Sequence, residues 1–522
     1  MRYGFAIDHR KCIGCHACTV ACKEEHDVPL GVFRTWVKYV ERGTFPEAKR
    51  YFTVLRCNHC DNAPCVTICP TRALHTRDDG IVDFDSDRCI GCKSCLQACP
   101  YDALYIDPRS QTAAKCNYCA HRVEVGLEPA CVIVCPEQAI VAGDLDDPAS
   151  AIARLVASEP AQVRKPEQRT QPKLYYVGAD TAALTPSLHE PAERLVWAER
   201  TEDDADLVRA LASTWKPASN SNAAASPNPS NGNGGLTRAS YDVSHATFPW
   251  GWKVSAYLWT KSIAAGILLI AALGALFGAP VADVSTRVVA PAVALLFLAV
   301  TLALLVLDLK RPERFLYILM KPNPRSWLVI GSWILMAYGA AASIWLAIGV
   351  SGTHESYRAL APVTIVLAAA AAGYSAFLFG QAEGRDFWQS GLTLPHLLIA
   401  AAVAGAAALL LVPAEPTLLV HPFARRALVA SLALEGLILL LEYGRKHQHE
   451  DAARAARLVT HGPWRVPFFA GVVVAGIAAP LALLALAPAA PPAAPIAALL
   501  ALAGLLIYEH IWVRAGQAVP LS

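Results

Sequence analysis

Every one of the 16 cysteines of this 522-residue chain lies before residue 136, and none follows. They fall into four groups of four: Cys12, Cys15, Cys18 and Cys22; Cys57, Cys60, Cys65 and Cys69; Cys89, Cys92, Cys95 and Cys99; Cys116, Cys119, Cys131 and Cys135. The first and third share the spacing C-x2-C-x2-C-x3-C. The second and fourth keep its opening and its close but stretch the middle, with four residues between Cys60 and Cys65 and eleven between Cys119 and Cys131. Inserted loops explain the stretch.

In the C-x2-C-x2-C-x3-C run, three thiolates hold one iron-sulfur cluster and the fourth reaches over to a second. Sixteen thiolates therefore fill four 4Fe-4S clusters. Disulfide frameworks belong to short secreted domains, and the opening "MRYGFAIDHRKC" reads as no cleavable signal. Structural zinc favours two C-x2-C knuckles set further apart and gives no reason for Pro70, Pro100 and Pro136 directly after the closing cysteines. Each group also opens directly after a basic residue: Lys11, Arg56, Arg88 and Lys115. A cation beside an anionic cluster favours its reduced form, so these four either raise cluster potentials or sit as solvated surface charge.

"RKCIGCHACTVAC" matches "DRCIGCKSCLQAC", and "LRCNHC" matches "AKCNYC", so this part reads as a duplicated two-cluster unit. "GIVDFD" and "ALYID" alternate like short strands. The expected fold is a loop-rich α+β ferredoxin-like domain with four clusters over residues 1–200. From about residue 145 a polar tail is expected, taking in "QPKLYYVG" and the charged "WAERTEDDADLVRAL". Residues 201–245 are assigned to polar tail and linker, with 217–238, around "KPASNSNAAASPNPSNGNGG", too poor in large apolar side chains to build a core.

Residues 246–522 change character. Eight apolar runs, near 255–277, 288–308, 327–350, 361–380, 394–412, 425–442, 466–487 and 494–513, are each long enough to cross a bilayer core of about 30 Å. "APAAPPAAP" joins the last two runs, whose combined length demands two spans. The second half is thus an all-α eight-helix transmembrane bundle. Eight spans put both termini on one face, and that face carries Lys253, Lys310, Arg311, Arg314, Lys321, Arg325, Arg385, Arg445, Lys446, Arg454, Arg457, Arg465 and Arg514. The other face carries only Arg287, Arg358, Arg425 and Arg426. The positive-inside bias places both termini and the iron-sulfur domain in the cytoplasm, with the bundle in a prokaryotic inner membrane. Nothing in the sequence points to nucleic acid.

A charge at a helix centre costs roughly 2.5–3.5 kcal/mol on insertion scales, so ionisable residues inside spans are informative. Glu435, near the middle of "ALVASLALEGLILLLEYG", reads as a proton relay or as an interhelical hydrogen bond. Lys261 in "AYLWTKSIAAG" lies close enough to its interface to snorkel there. Asp308, Glu442, Glu509 and His510 stand near span ends as interfacial anchors or functional groups. The spans hold only two histidines, His396 and His510, both near an end, and the sequence has no C-x-x-C-H motif. Haem is therefore not expected, and a mobile acceptor has to meet the iron-sulfur wire directly.

The four cysteine groups resemble the electron-transfer subunits of dimethyl sulfoxide reductase and polysulfide reductase complexes. "PWGWKVSAYLWTKSIAAG", "LDLKRPERFLYILMKPNPRSW" and "GYSAFLFGQAEGRDFWQSGLTLPHLL" resemble the NrfD-like family of polysulfide reductase membrane subunits. Two subunits that are usually separate are fused here. The resemblance implies a quinone pocket in the membrane half, on the face toward the iron-sulfur domain, around Trp252, Tyr257 and Tyr374. A tyrosine hydroxyl suits a quinone oxygen and aromatic faces hold the ring, whereas Trp250 and Trp252 also suit an interfacial aromatic belt. It further implies that the first group pairs with the fourth, and the second with the third. Cys12, Cys15, Cys18 and Cys135 then form one set and Cys22, Cys116, Cys119 and Cys131 another. Cys57, Cys60, Cys65 and Cys99 form the third, leaving Cys69, Cys89, Cys92 and Cys95.

Together these readings make the protein the electron-transfer and membrane-anchor component of a quinone-linked oxidoreductase whose separate catalytic subunit carries molybdopterin. The rival readings are a hydrogenase-associated module and a redox-driven proton-translocating membrane protein.

Overall fold

The computed structural model describes residues 1–43, 46–188, 237–243, 248–277, 284–352, 356–412, 420–486 and 492–522. It divides into two compact units, one of Met1–Pro249 with Ala382–Arg385 and Val519–Ser522, the other of Trp250–Gln381 with Asp386–Ala518.

In the first unit, β1 (Tyr3–Asp8) is the centre of a four-stranded sheet. It pairs antiparallel with β8 (Ile140–Asp144) and parallel with β10 (Leu174–Val177), and the short β9 (Ala161–Gln162) closes the edge. The strand β10 is "LYYV" of the stretch expected in a polar tail. Leu174, Tyr176 and Val177 are instead fully buried, because β10 lies directly against β1. A second sheet runs β11 (Thr237–Tyr241), β2 (Thr35–Arg42), β3 (Lys49–Arg56). The end of the segment read as tether is therefore a strand on the edge of β2, anchored by buried Asp242, which receives the Trp36 indole N–H and lies 3.2 Å from Lys38 Nζ. The rest of that segment, with the charged stretch before it, lies outside the described residues.

"GIVDFD" and "ALYID" do form strands: β5 (Val82–Phe84) pairs with β4 (Leu74–Thr76), and β6 (Leu104–Ile106) with β7 (Ala113–Lys115). One hairpin lies between the second and third cysteine groups and the other between the third and fourth. In the duplication, the β6–β7 hairpin between the third and fourth groups takes the place of the β2–β3 pair between the first and second.

His9, one residue past β1, is half-buried with its ring edge-on to Tyr176, and both ring nitrogens are buried without a hydrogen-bond partner. Burial pushes it down to about 4, against a small opposing pull from Asp8. The ordinary histidine value is higher, so the unfolded chain takes up this proton first as pH falls. The stability His9 contributes is complete above about pH 6.5 and is lost toward pH 4, up to about 3 kcal/mol. We expect the thermal midpoint for loss of visible iron-sulfur absorbance to drop across that window in the intact protein, and to drop less in His9→Phe.

The second unit contains eight helices long and apolar enough to cross a membrane: Trp252–Leu276, Thr286–Leu307, Trp327–Ser351, Tyr357–Gly380, Thr393–Leu411, Pro422–Gly444, Pro467–Leu486 and Ala493–Ala518, here spans 1 to 8. Span 1 is the most enclosed and packs on spans 2, 4, 5 and 8. Its Gly266 meets Gly405 of span 5 backbone to backbone, and Gly476 meets Gly504 where spans 7 and 8 touch. Small residues permit this contact, and in lipid such packing replaces the hydrophobic drive. Gln381 ties two of the family-like sequence pieces together, accepting from the Trp327 backbone N–H at 2.9 Å and donating to the Arg325 carbonyl at 2.6 Å.

Candidate iron-sulfur and membrane sites

Each cysteine group begins in a loop that turns through left-handed backbone. Gly14 and His16 do so in the first, His59 in the second, Gly91 and Lys93 in the third, Tyr118 and Cys119 in the fourth. A short helix then carries the later cysteines: α1 (Ala17–Glu25), α2 (Pro64–Ile68), α3 (Ser94–Ala98), and α4 (Ala120–Val123) followed by α5 (Ala130–Ile133). Left-handed turns at this spacing aim backbone N–H groups inward, the arrangement that favours an anion. His59 and Gly91 donate to Cys57 and Cys89 Sγ at 3.4 Å, and Ala139 donates to Cys135 Sγ at 3.2 Å.

None of the sixteen cysteines, all among the described residues, is in a disulfide, and two cavities bring cysteines of different groups together. Cys12, Cys15, Cys18 and Cys135 line one cavity; Cys69, Cys89, Cys92 and Cys95 line another. Cys22 has Cys116, Cys131 and Cys119 as its thiol neighbours, and Cys65 has Cys99, Cys57 and Cys60. Among the described residues no group of three or more His, Cys, Asp or Glu is arranged to hold a single metal ion. The two cavities lined by four thiols each, with N–H donors aimed at sulfur, fit a polynuclear cluster. Burial pushes the Cys18 and Cys92 thiols up to about 12, so ligand formation expels protons.

The four flanking cations divide two and two. Lys11 is exposed, and Arg88 is spent on the Thr71 carbonyl at 3.1 Å. Arg56 is only 1% exposed and donates to Cys131 Sγ at 3.0 Å. Burial opposes its charge, but Cys131, Cys116 and Cys18 outweigh that and hold the guanidinium above its ordinary value. Arg56 thus acts both on Cys18, which lines the first cavity, and on Cys131, which is not part of that lining. Lys115 is also fully buried, donating to the Val82 carbonyl and, at 2.9 Å, to that of Cys116. A residue the sequence did not single out, His26, stands 3.2 Å from Cys119 Sγ with its ring edge-on to His121.

In the membrane unit, Tyr257 of span 1 and Tyr374 of span 4 come together around Ser375. Trp252 does not join them, being 63% exposed at the start of span 1. Trp250 is buried instead, stacked on Trp388 with ring centroids 5.5 Å apart. Tyr374 lies against Gly331 of span 3, where any side chain would collide with the ring. Lys261 does not snorkel. It is 1% exposed, with Nζ 2.6 Å from Ser375 Oγ, 2.9 Å from the Ala372 carbonyl and 4.7 Å from the Tyr374 ring centroid. The neighbouring helix offers those acceptors inside the bundle, so the side chain has no need of the interface. Glu435 of span 6 places Oε1 3.3 Å from His396 Nδ1 of span 5, leaving Oε2 buried without a hydrogen bond. Glu509 is buried as well, not interfacial, and Glu442 accepts from Ser390 at 2.7 Å.

Comparison with known proteins agrees with this division. Residues 242–520 match the family described as polysulphide reductase, NrfD. The protein belongs to that family. Residues 48–145 match a 4Fe-4S dicluster domain and residues 10–25 a 4Fe-4S binding domain. The sequence is 46% identical over 202 residues to a tetrathionate reductase subunit of Salmonella typhimurium, covering 38% of this protein and 80% of that one. It is 44% identical to the protein NrfC of Escherichia coli over 34% of this protein and 81% of the relative. The arsenate respiratory reductase iron-sulfur subunit ArrB of Shewanella sp. is 34% identical over 34% of this protein and 96% of its own length. This NrfD-family member is accordingly a multi-pass membrane protein fused to an iron-sulfur electron-transfer part, and it works with a separate catalytic subunit.

Proposed function

We propose that the protein passes electrons between a membrane quinone and a molybdopterin-containing catalytic subunit, through four 4Fe-4S clusters held by its sixteen cysteines. The observation that carries this reading is a pair of cavities, each lined by four cysteines drawn from two different sequence groups. Bound clusters supply single-electron storage; the protein's share is the thiolates, the N–H donors on sulfur and the buried cations Arg56 and Lys115. The proposed division is a cluster domain over 1–200, tail and linker over 201–245, and the membrane domain over 246–522. The basic face of the bundle supports a prokaryotic inner membrane with the iron-sulfur part cytoplasmic.

The quinone site is assigned to Tyr257 and Tyr374, two buried tyrosines on spans 1 and 4 beside Ser375 and Lys261. Tyr374→Phe removes one donor and keeps the ring; quinol-linked turnover is expected to fall about 10-fold or more, as for loss of a hydrogen bond in a desolvated site. Unchanged turnover would remove Tyr374 from the site. The catalytic partner is tested by metal analysis of the complex from native membranes. Molybdenum or tungsten stoichiometric with the protein supports the reading, whereas iron without either sinks it. Glu435, buried beside His396, favours a second reading in which proton movement accompanies electron transfer. Glu435→Gln is then expected to abolish proton uptake or release across vesicles while electron transfer from a donor that bypasses the membrane site continues.

A further inference from the structure

Between the tyrosine pair and Glu435 lies a set of polar side chains on four spans. Lys261 and Ser262 belong to span 1, Tyr374 and Ser375 to span 4, Glu509 to span 8, and Glu435 to span 6. Lys261 touches the tyrosine side directly through Ser375 and the Tyr374 ring. Glu509 is its electrostatic partner, and the adjacent Ser262 Oγ reaches Glu509 Oε1 at 3.5 Å. Glu509 in turn interacts electrostatically with Glu435, which leads to His396 at 3.3 Å. Glu509 Oε2 and Glu435 Oε2 are both buried with no hydrogen bond. Two carboxyls and an amine in a bundle interior are costly to insert, and a merely structural ion pair would need only one carboxyl. The arrangement has what proton transfer requires: buried groups that can each hold or release a proton, Lys261 beside the tyrosine side and Glu509 within reach of the adjacent Ser262.

We propose that Lys261 is the group through which the quinone site exchanges protons with the Glu509–Glu435 carboxyl pair. The inference rests on the quinone reading of Tyr257 and Tyr374. When a quinol is oxidised there, two electrons leave to the iron-sulfur clusters and two hydroxyl protons leave to the protein. The first O–H bond breaks toward neutral Lys261 Nζ, which forms an N–H bond and becomes the ammonium. That proton passes to the Glu509 carboxylate and on to Glu435, restoring the amine for the second. Quinone reduction runs the same route backwards, with the clusters as electron source.

The experiment uses the assembled complex in membranes, with menadiol as quinol, reduced benzyl viologen as a donor that bypasses the membrane site, and the quinol-site ligand heptylhydroxyquinoline N-oxide as a binding probe. Lys261→Arg keeps a cation on a long stem, but guanidinium does not release its proton. It is expected to bind the N-oxide and keep its viologen-linked rate, yet lose about 100-fold in menadiol-linked rate, the lower range for a positioned proton-transfer group. Lys261→Ala is expected to lose as much and to be partly restored by added methylamine but not by tetramethylammonium. If Lys261→Ala fails to assemble, Lys261→Arg decides alone. A wild-type menadiol rate in Lys261→Arg, or loss of N-oxide binding together with turnover, overturns the proposal. A wild-type complex that accepts electrons from viologen but from no quinol overturns the quinone reading itself, whatever the variants do.

Discussion

Serine in place of Cys131 is expected to abolish quinol-linked electron transfer, to remove one cluster signal and to lower bound iron by about a quarter, from about 16 atoms per protein for four cubanes. Cys131 is buried in α5, and in the proposed assignment it completes the set of Cys22, Cys116 and Cys119. A hydroxyl is a poor substitute, because thiolate softness is what selects iron-sulfur chemistry. The damage reaches past the lost ligand. Arg56 is buried and its nearest anionic partner is the Cys131 sulfur at 3.0 Å. Removing one member of such a buried pair leaves an uncompensated charge, costing about 3–5 kcal/mol, and the neighbouring Cys18 set shares that cation. Iron analysis with low-temperature spectroscopy checks this: a variant with full iron and wild-type turnover removes Cys131 from the ligand set. Cys135→Ser acts on the other side of the same loop, and is expected to silence the Cys12 set first.

The contrast between those two cysteines marks how far the sequence could be read. Spacing within a group is local, so the four groups, the duplication and the iron-sulfur assignment were legible from the residues alone. Assigning Cys131 and Cys135 to different sets is a long-range matter, and only the family resemblance suggested it. The spans were equally legible, since length and apolarity are all a bilayer asks of a helix. Lys261 was not: its position near an interface says snorkel, and what overrides it is Ser375, 114 residues on, on another helix. The strand β10 was missed for the same reason. "LYYV" in a polar neighbourhood is too short to read alone, and β1, which buries it, is distant in sequence. Trp252 illustrates the converse, a residue of a family-like motif that the fold leaves exposed.

The flanking cations looked alike in sequence and turn out unlike in structure, and the difference sets the size of the remaining effect. Arg56→Gln is expected to lower the reduction potentials of two clusters, those assigned to the Cys18 and Cys131 sets, and to leave the other two nearly unchanged. A unit charge about 4 Å from an anionic centre interacts by about 4 kcal/mol at an effective dielectric constant near 20. With about 1.4 kcal/mol and about 59 mV each to a tenfold change for one electron, that corresponds to a shift on the order of 100 mV. The sign follows from reduction adding negative charge, which the guanidinium stabilises. Arg56→Lys keeps the charge but not the donor geometry toward Cys131, and should shift the potentials far less. Lys11→Gln and Arg88→Gln, at an exposed side chain and one already held by the Thr71 carbonyl, should shift them little because water screens or a carbonyl shares the charge. Redox titration of the complex followed by electron paramagnetic resonance separates these cases. Equal shifts from Arg56→Gln and Lys11→Gln would mean that the cations act through long-range field and not through burial.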